Sequence, residues 1–185
     1  VYTRQVLKRS ASVELNLNAI AKGHAVDRVS EGIESLGYTS YYVEIGGEVR
    51  TSGNNSQGIP WQLAIESPVL GQRQEMLRLP MVDIALATSG DYRNYFEANG
   101  RRYSHSIDPR TGYPVTHDLV SVTVVHQSCM MADAWATALT VLGAEKAMAV
   151  AQAQGLAVYF IRRLDDEFVH SQTPLFSAYL PAAEL

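Results

Sequence analysis

The sequence predicts an α+β domain, with a mixed, largely antiparallel sheet and packed helices. Helix-period and strand-period segments alternate without the regular βαβ rhythm that a parallel sheet needs. The chain has 185 residues, enough for one domain with a sizeable core and too few to favour a second. Hydrophobic residues make up 46% and charged residues 18%, a globular balance that excludes wholesale disorder.

Residues 19–36 carry Val26, Val29, Ile33 and Leu36 at spacings of three and four, which predicts one apolar helix face, and Gly37 follows as a stop. Residues 40–50 read as a strand in which Gly46-Gly47 marks a bulge or a close backbone approach. A polar loop over 52–60 leads to a short strand at 61–66 and a second at 77–87, broken by Pro80. Residues 92–107 have Asn99-Gly100 at their centre, the composition of a hairpin turn. Asp-Pro and Thr-Gly make 108–112 a turn. Val- and Thr-rich 119–126 is a strand, and Ser128 is placed to cap a helix over 129–142. Gly143 ends that helix and 144–154 forms another. Strands at 156–164 and 167–171 pair around Asp165-Asp166.

Charge and cysteine content exclude several functions. Lys plus Arg is 15 and Asp plus Glu is 19, a net charge of -4, which argues against a large nucleic-acid footprint. The single Cys129 forms no internal disulfide and no cysteine zinc cage. No apolar run approaches the about 18 residues of a membrane span. The chain begins at Val1 and shows no signal peptide, which suits a processed or trimmed product. P-loop, zincin, nucleophile-elbow and dinucleotide fingerprints are all missing.

Four polar clusters remain. Asn16-Leu-Asn-Ala-Ile-Ala-Lys22-Gly23 lies at a helix start, where small residues admit a ligand and Lys22 supplies a point charge. Its plainer reading is a helix start with an exposed lysine. Ile45-Gly-Gly-Glu48-Val-Arg50 could seat a planar or phosphorylated ligand; the plainer reading is a β-bulge with Glu48 and Arg50 in solvent. The densest cluster joins Ala87-Thr-Ser89-Gly-Asp-Tyr92 to Tyr103-Ser-His105-Ser-Ile107-Asp108, where His105 could act as a general base or be a hydrogen-bonded structural histidine. In the fourth, Asp133 and Thr137 are one helical turn apart and turn their oxygens to one face. That pair suits a hard cation such as Mg²⁺, or else Asp133 interacts with the helix dipole and backbone. His24, His117, His126 and His170 read as structural or exposed.

In this order the clusters resemble the ApbE family of FAD:protein FMN transferases. The matching segments are NLNAIAKGHAVDRV, VEIGGEVRTSG, ALATSGDY, YSHSIDPRTGYPV, and SVTVV followed by MMADAWATALTVLG. They cover roughly residues 12–145, and the tail fits more loosely. The resemblance implies a T-fold-like architecture and a Mg²⁺-dependent reaction that cleaves FAD, passes FMN to a Thr or Ser hydroxyl of an acceptor protein and releases AMP. By resemblance Asp133, Thr137 and the Ala19 carbonyl hold the metal. Asn16, Lys22, Ser89 and Ile107 contact the FAD nucleotide, and His105 deprotonates the acceptor hydroxyl. Implied acceptors are membrane subunits of sodium-pumping NADH:quinone reductase and of the Rnf complex.

The implied location is the periplasmic side of the inner membrane, through a lipid anchor upstream of this chain, or alternatively the cytoplasm. Residues 1–185 then form an ApbE-like transferase domain lacking its N-terminal part. Two positions depart from the family pattern: Asn16 stands where Asp is usual, and Glu48 where Asp is common. A Mg²⁺-dependent FAD pyrophosphatase and a non-catalytic flavin-binding module are the alternative functions.

Overall fold

The computed structural model describes residues 6–69, 74–90, 106–165 and 167–180, and the backbone pairing of 95–98 with 101–104. Its centre is a six-stranded antiparallel sheet ordered β1-β2-β5-β10-β11-β12. The strands are β1 (Tyr41–Ile45), β2 (Glu48–Ser52), β5 (Ala85–Gly90), β10 (Leu119–His126), β11 (Ala157–Leu164) and β12 (Glu167–Gln172). Hairpins β3 (Trp61–Glu66) with β4 (Glu75–Met81), β6 (Tyr95–Ala98) with β7 (Arg101–Ser104), and β8 (Ile107–Asp108) with β9 (Tyr113–Pro114) complete the strands.

Helices α1 (Asn18–Ser35), α2 (Cys129–Leu142) and α3 (Ala144–Ala153) cover one face of the sheet. Strand alternation decides which side chains meet them. Ala87, Val122, Val124, Val158 and Phe160 pack with Ala132, Ala136 and Leu139 of α2. The intervening Leu86, Val125, Tyr159 and Ile161 face the other way, onto Ile65, Leu77, Leu79 and Met81 of the β3–β4 hairpin and onto Phe176. The expected α+β, T-fold-like arrangement is the observed one, and strand 119–126 and helix 129–142 match their predicted bounds. Ser128 caps α2 as expected, accepting from the Met131 N–H.

Three local expectations need correction. Gly46-Gly47 is a two-residue hairpin loop rather than a bulge: Ile45 pairs with Glu48, and both glycines have positive φ (63° and 100°). That is the conformation of a type I′ turn, for which Gly-Gly is one of the favoured pairs. Segment 77–87 breaks beyond Pro80, not at it, because Asp83 takes positive φ between β4 and β5. Pro80 is accommodated in β4, which belongs to a two-stranded sheet and so has an unpaired side. The buried stripe of α1 is Gly23, Val26, Asp27 and Ser30, while Val29 and Leu36 are exposed. The helix turns its small and polar side inward because it packs tightly against α2, where bulk has no room.

Candidate active site at the α1–α2 corner

The site grows from one close approach. A Cβ placed on Gly23 would sit 2.3 Å from the Cys129 carbonyl oxygen, so only glycine lets α1 meet the first turn of α2. This contact carries Asp133, one turn further along α2, to the backbone of α1. The Gly23 N–H donates to Asp133 Oδ2 at 3.0 Å. In an α-helix the N–H of residue 23 points at the carbonyl of residue 19. The Asp133 carboxylate therefore lies beside the Ala19 carbonyl, and Thr137 follows Asp133 by one turn on α2.

Strand β2 completes the corner. Its alternation sends Glu48 and Arg50 to the α1 side, about 7 Å apart along the strand. Lys22 and Asp27 are spaced by about the same distance along α1. Two ion pairs of opposite sense result. Lys22 Nζ donates to Glu48 Oε1 at 2.5 Å, and Arg50 Nη1 donates to Asp27 Oδ1 at 3.0 Å. Glu48 is 1% exposed, so the solvated reading of this residue is wrong. Its Oε2 is buried and has no hydrogen-bond partner. The hairpin turn also abuts the lysine: a Cβ on Gly46 would lie 3.2 Å from Lys22 Cδ.

The electrostatics follow from burial. Burial pushes the Asp133 carboxyl up, against the lowering pull of the Gly23 N–H and the Lys22 charge. Burial also pushes Glu48 up; Lys22 pulls it back and the nearby Asp133 charge adds to the rise. Two buried carboxylates thus share one lysine, a corner short of positive charge. A cation fits that deficit. Among the described residues no group of three or more His, Cys, Asp or Glu could hold a metal ion. A cation here would rest on the Asp133 carboxylate with neutral oxygens, the Ala19 carbonyl and the Thr137 hydroxyl, a donor set that suits Mg²⁺.

The remaining candidates sit around this corner. Asn16 is exposed at the start of α1, where its Oδ1 accepts from the Asn18 N–H at 2.9 Å. Ser89 shares the α2 side of β5 with Ala85 and Ala87, whereas Thr88 and Gly90 line a cavity of about 320 Å³ on the opposite side. That cavity, bordered by Tyr42, Glu44 and Glu66, opens on the other face of the sheet and reaches the Gly46-Gly47 turn that abuts Lys22. Ile107 is exposed on β8, which packs against α2. His105 lies outside the described residues.

The sequence reading missed Asp27. This residue is buried in α1 and accepts four hydrogen bonds. Cys129 N–H (3.0 Å) and Arg50 reach its Oδ1, and Met130 N–H (3.0 Å) and Ser128 Oγ (2.7 Å) reach its Oδ2. Burial pushes its carboxyl up, but these four donors outweigh burial and hold it below the usual range. The signal was present as an acid inside an otherwise small or apolar helix stripe.

Known proteins resemble this chain over most of its length. A Vibrio cholerae FAD:protein FMN transferase is 49% identical over 166 residues, covering 90% of this chain and 50% of the relative. A Haemophilus influenzae protein of the same description is 47% identical over 170 residues, covering 91% of this chain and 49% of its own length. The chain thus spans about half the length of the curated relatives it matches. The apo crystal structure of the flavinyl transferase ApbE from Pseudomonas stutzeri superposes with a TM-score of 0.81 at 44% identity, covering 90% of this chain and 51% of that one. The family profile described as "ApbE family" matches residues 1–160, and the chain belongs to that family.

Proposed function

We propose that this chain supplies the α1–α2 site of a Mg²⁺-dependent FAD:protein FMN transferase. The observation that carries the reading is the Gly23–Asp133 hydrogen bond. It sets a buried carboxylate beside the Ala19 carbonyl, one turn from Thr137, with Lys22 at the rim. Relatives that bear the transferase description support it.

In the proposed reaction the acceptor hydroxyl oxygen bonds to the FMN phosphorus. The pyrophosphate P–O bond breaks, and AMP leaves with the bonding electrons. The hydroxyl proton goes to His105 as general base. Lys22, its side chain half-exposed, faces the phosphate charge that the nucleotide brings. Glu48 holds that ammonium in place from below. Asn16 and Ile107, both exposed, present a polar and an apolar contact to the nucleotide, and Ser89 lies toward its phosphates. Bound Mg²⁺, held by Asp133, Thr137 and the Ala19 carbonyl, would neutralise pyrophosphate charge and stabilise departing AMP. The acceptors proposed by family resemblance are subunits of the sodium-pumping NADH:quinone reductase or Rnf type, met on the periplasmic side.

The test is a titration with FAD, with and without Mg²⁺, in which the mixture is analysed for AMP and FMN and then offered an acceptor peptide. The expected result is Mg²⁺-dependent FAD binding, AMP release and FMN bound covalently to the peptide. Free FMN with no peptide adduct would make the activity a pyrophosphatase. Binding without AMP would leave a flavin-binding module. Asp133→Ala is expected to abolish the Mg²⁺-dependent part of the signal; unchanged Mg²⁺ dependence would remove Asp133 from the metal site.

A further inference from the structure

We propose that Asp27 is a positioning residue. By capping α2 from α1, it sets the register in which Asp133 meets the Gly23 N–H, and so shapes the corner that receives the cation and nucleotide. The inference rests on the proposed function for its consequence, but on geometry alone for the clamp itself.

The first N–H groups of any helix lack partners within it. In α2 the Ser128 side chain serves only Met131. The Cys129 and Met130 amides are served by Asp27, a residue 102 and 103 positions away in sequence and one turn beyond Gly23 on α1. One carboxylate therefore fixes the start of α2 both along and around its axis. Asp133 lies one turn from those amides, so a shift at the cap is passed along a rigid helix to its carboxylate. Arg50 holds Asp27 from β2 through Nη1, and its Nη2 reaches Glu34 Oε1 at 3.2 Å. Glu48, which grips Lys22, is two residues from Arg50 on the same strand face. Asp27 is thus the point where α1, α2 and the lysine-bearing side of the corner are tied together. It touches neither Asp133 nor Lys22, and its action on them is indirect.

The clamp needs acceptors only. Asn in its place has the same shape but turns an NH₂ group, a donor, toward two of the four incoming donors. The test uses the ¹⁵N-labelled full-length protein. It compares wild type, Asp27→Asn, and Phe176→Leu as a destabilised control on the opposite face of the sheet. The Gly23 amide is followed by its shift and hydrogen exchange, and Mn²⁺ affinity is measured by electron paramagnetic resonance. In Asp27→Asn the Gly23 amide is expected to shift and lose protection. Mn²⁺ binding is expected to weaken about tenfold or more, as for other partners that orient a metal ligand. Phe176→Leu is expected to lower the melting temperature while leaving both readouts as in wild type.

A folded Asp27→Asn with an unchanged Gly23 amide and unchanged Mn²⁺ affinity would overturn the proposal. If that variant does not fold, Ser128→Ala removes one donor to Asp27 and is expected to move Gly23 in the same direction by less. An unmoved Gly23 amide there would equally overturn it. Should Gly23 respond while even wild type binds no Mn²⁺, the clamp stands and the metal reading of the corner falls.

Discussion

At the scale of single residues, this site depends on an atom that is absent. Gly23 is the residue through which α1 and α2 touch, and the obstacle to any side chain there is the backbone of Cys129, which cannot turn aside. Gly23→Ala is expected to cost about 1–3 kcal/mol, the range of core overpacking. It is also expected to weaken FAD and Mn²⁺ binding by pushing Asp133 away from Ala19. Chemical denaturation together with a binding titration checks both; full stability would show that the helices separate easily. The sequence carried this residue within the Asn16–Gly23 cluster, but only as a small residue beside a lysine. What it could not show was the partner, because Asp133 is 110 positions away. Glu48 was misread for the same reason. In sequence it is an ordinary polar residue after a turn, and only the helix laid over it makes it a buried one.

At the scale of elements, the β1–β2 hairpin acts as a shelf beneath Lys22. Its two glycines share positive φ but differ in what surrounds them. Space beside Gly47 is open, whereas a Cβ on Gly46 would press on the Lys22 stem. Each Gly→Ala change is expected to cost about 1 kcal/mol through backbone strain. Gly46→Ala alone is expected to alter FAD affinity as well. Equal effects of the two on affinity would separate the hairpin from the site. Element identity was largely legible here because the patterns are strong: Val- and Thr-rich β10, Ser128 capping α2, Gly37 after α1 and Gly143 after α2. The inward face of α1 was only half legible. Of the four residues from which its periodicity was read, Val26 is buried and Ile33 packs on the core, but Val29 and Leu36 are exposed, and packing against another helix set Gly23, Asp27 and Ser30 inward instead.

At the scale of the whole molecule, the buried carboxylates give stability two opposing pH limbs. Glu48 and Asp133 have folded values raised by burial, so the folded state favours their neutral forms. Their contribution is full below the ordinary carboxylate values and is lost as pH rises through the raised ones. Asp27 has a folded value lowered by its donors despite burial. Its contribution is full above the ordinary value and is lost as pH falls through the lowered one. Metal-free protein is therefore expected to gain or hold stability from pH 8 into mild acid, then lose it below about pH 4. Urea midpoints across pH check this, and Asp27→Asn is expected to flatten only the acid limb. A steady decline from pH 8 downward would contradict the burial of Glu48 and Asp133.

The α1–α2 contact also sets an order of events during synthesis. Helix α1 is made early, but the surface it packs on ends at Leu142. Until that residue has left the ribosome, the Gly23 strip has nothing to close upon, and α1 is held only by its contacts with the β1–β2 hairpin, Asp27–Arg50 among them. Loops of this span close slowly compared with local hairpins. The α1–α2 corner is therefore among the last parts of the chain to form, and a nascent chain stalled before α2 would carry every strand of β1–β10 without that corner.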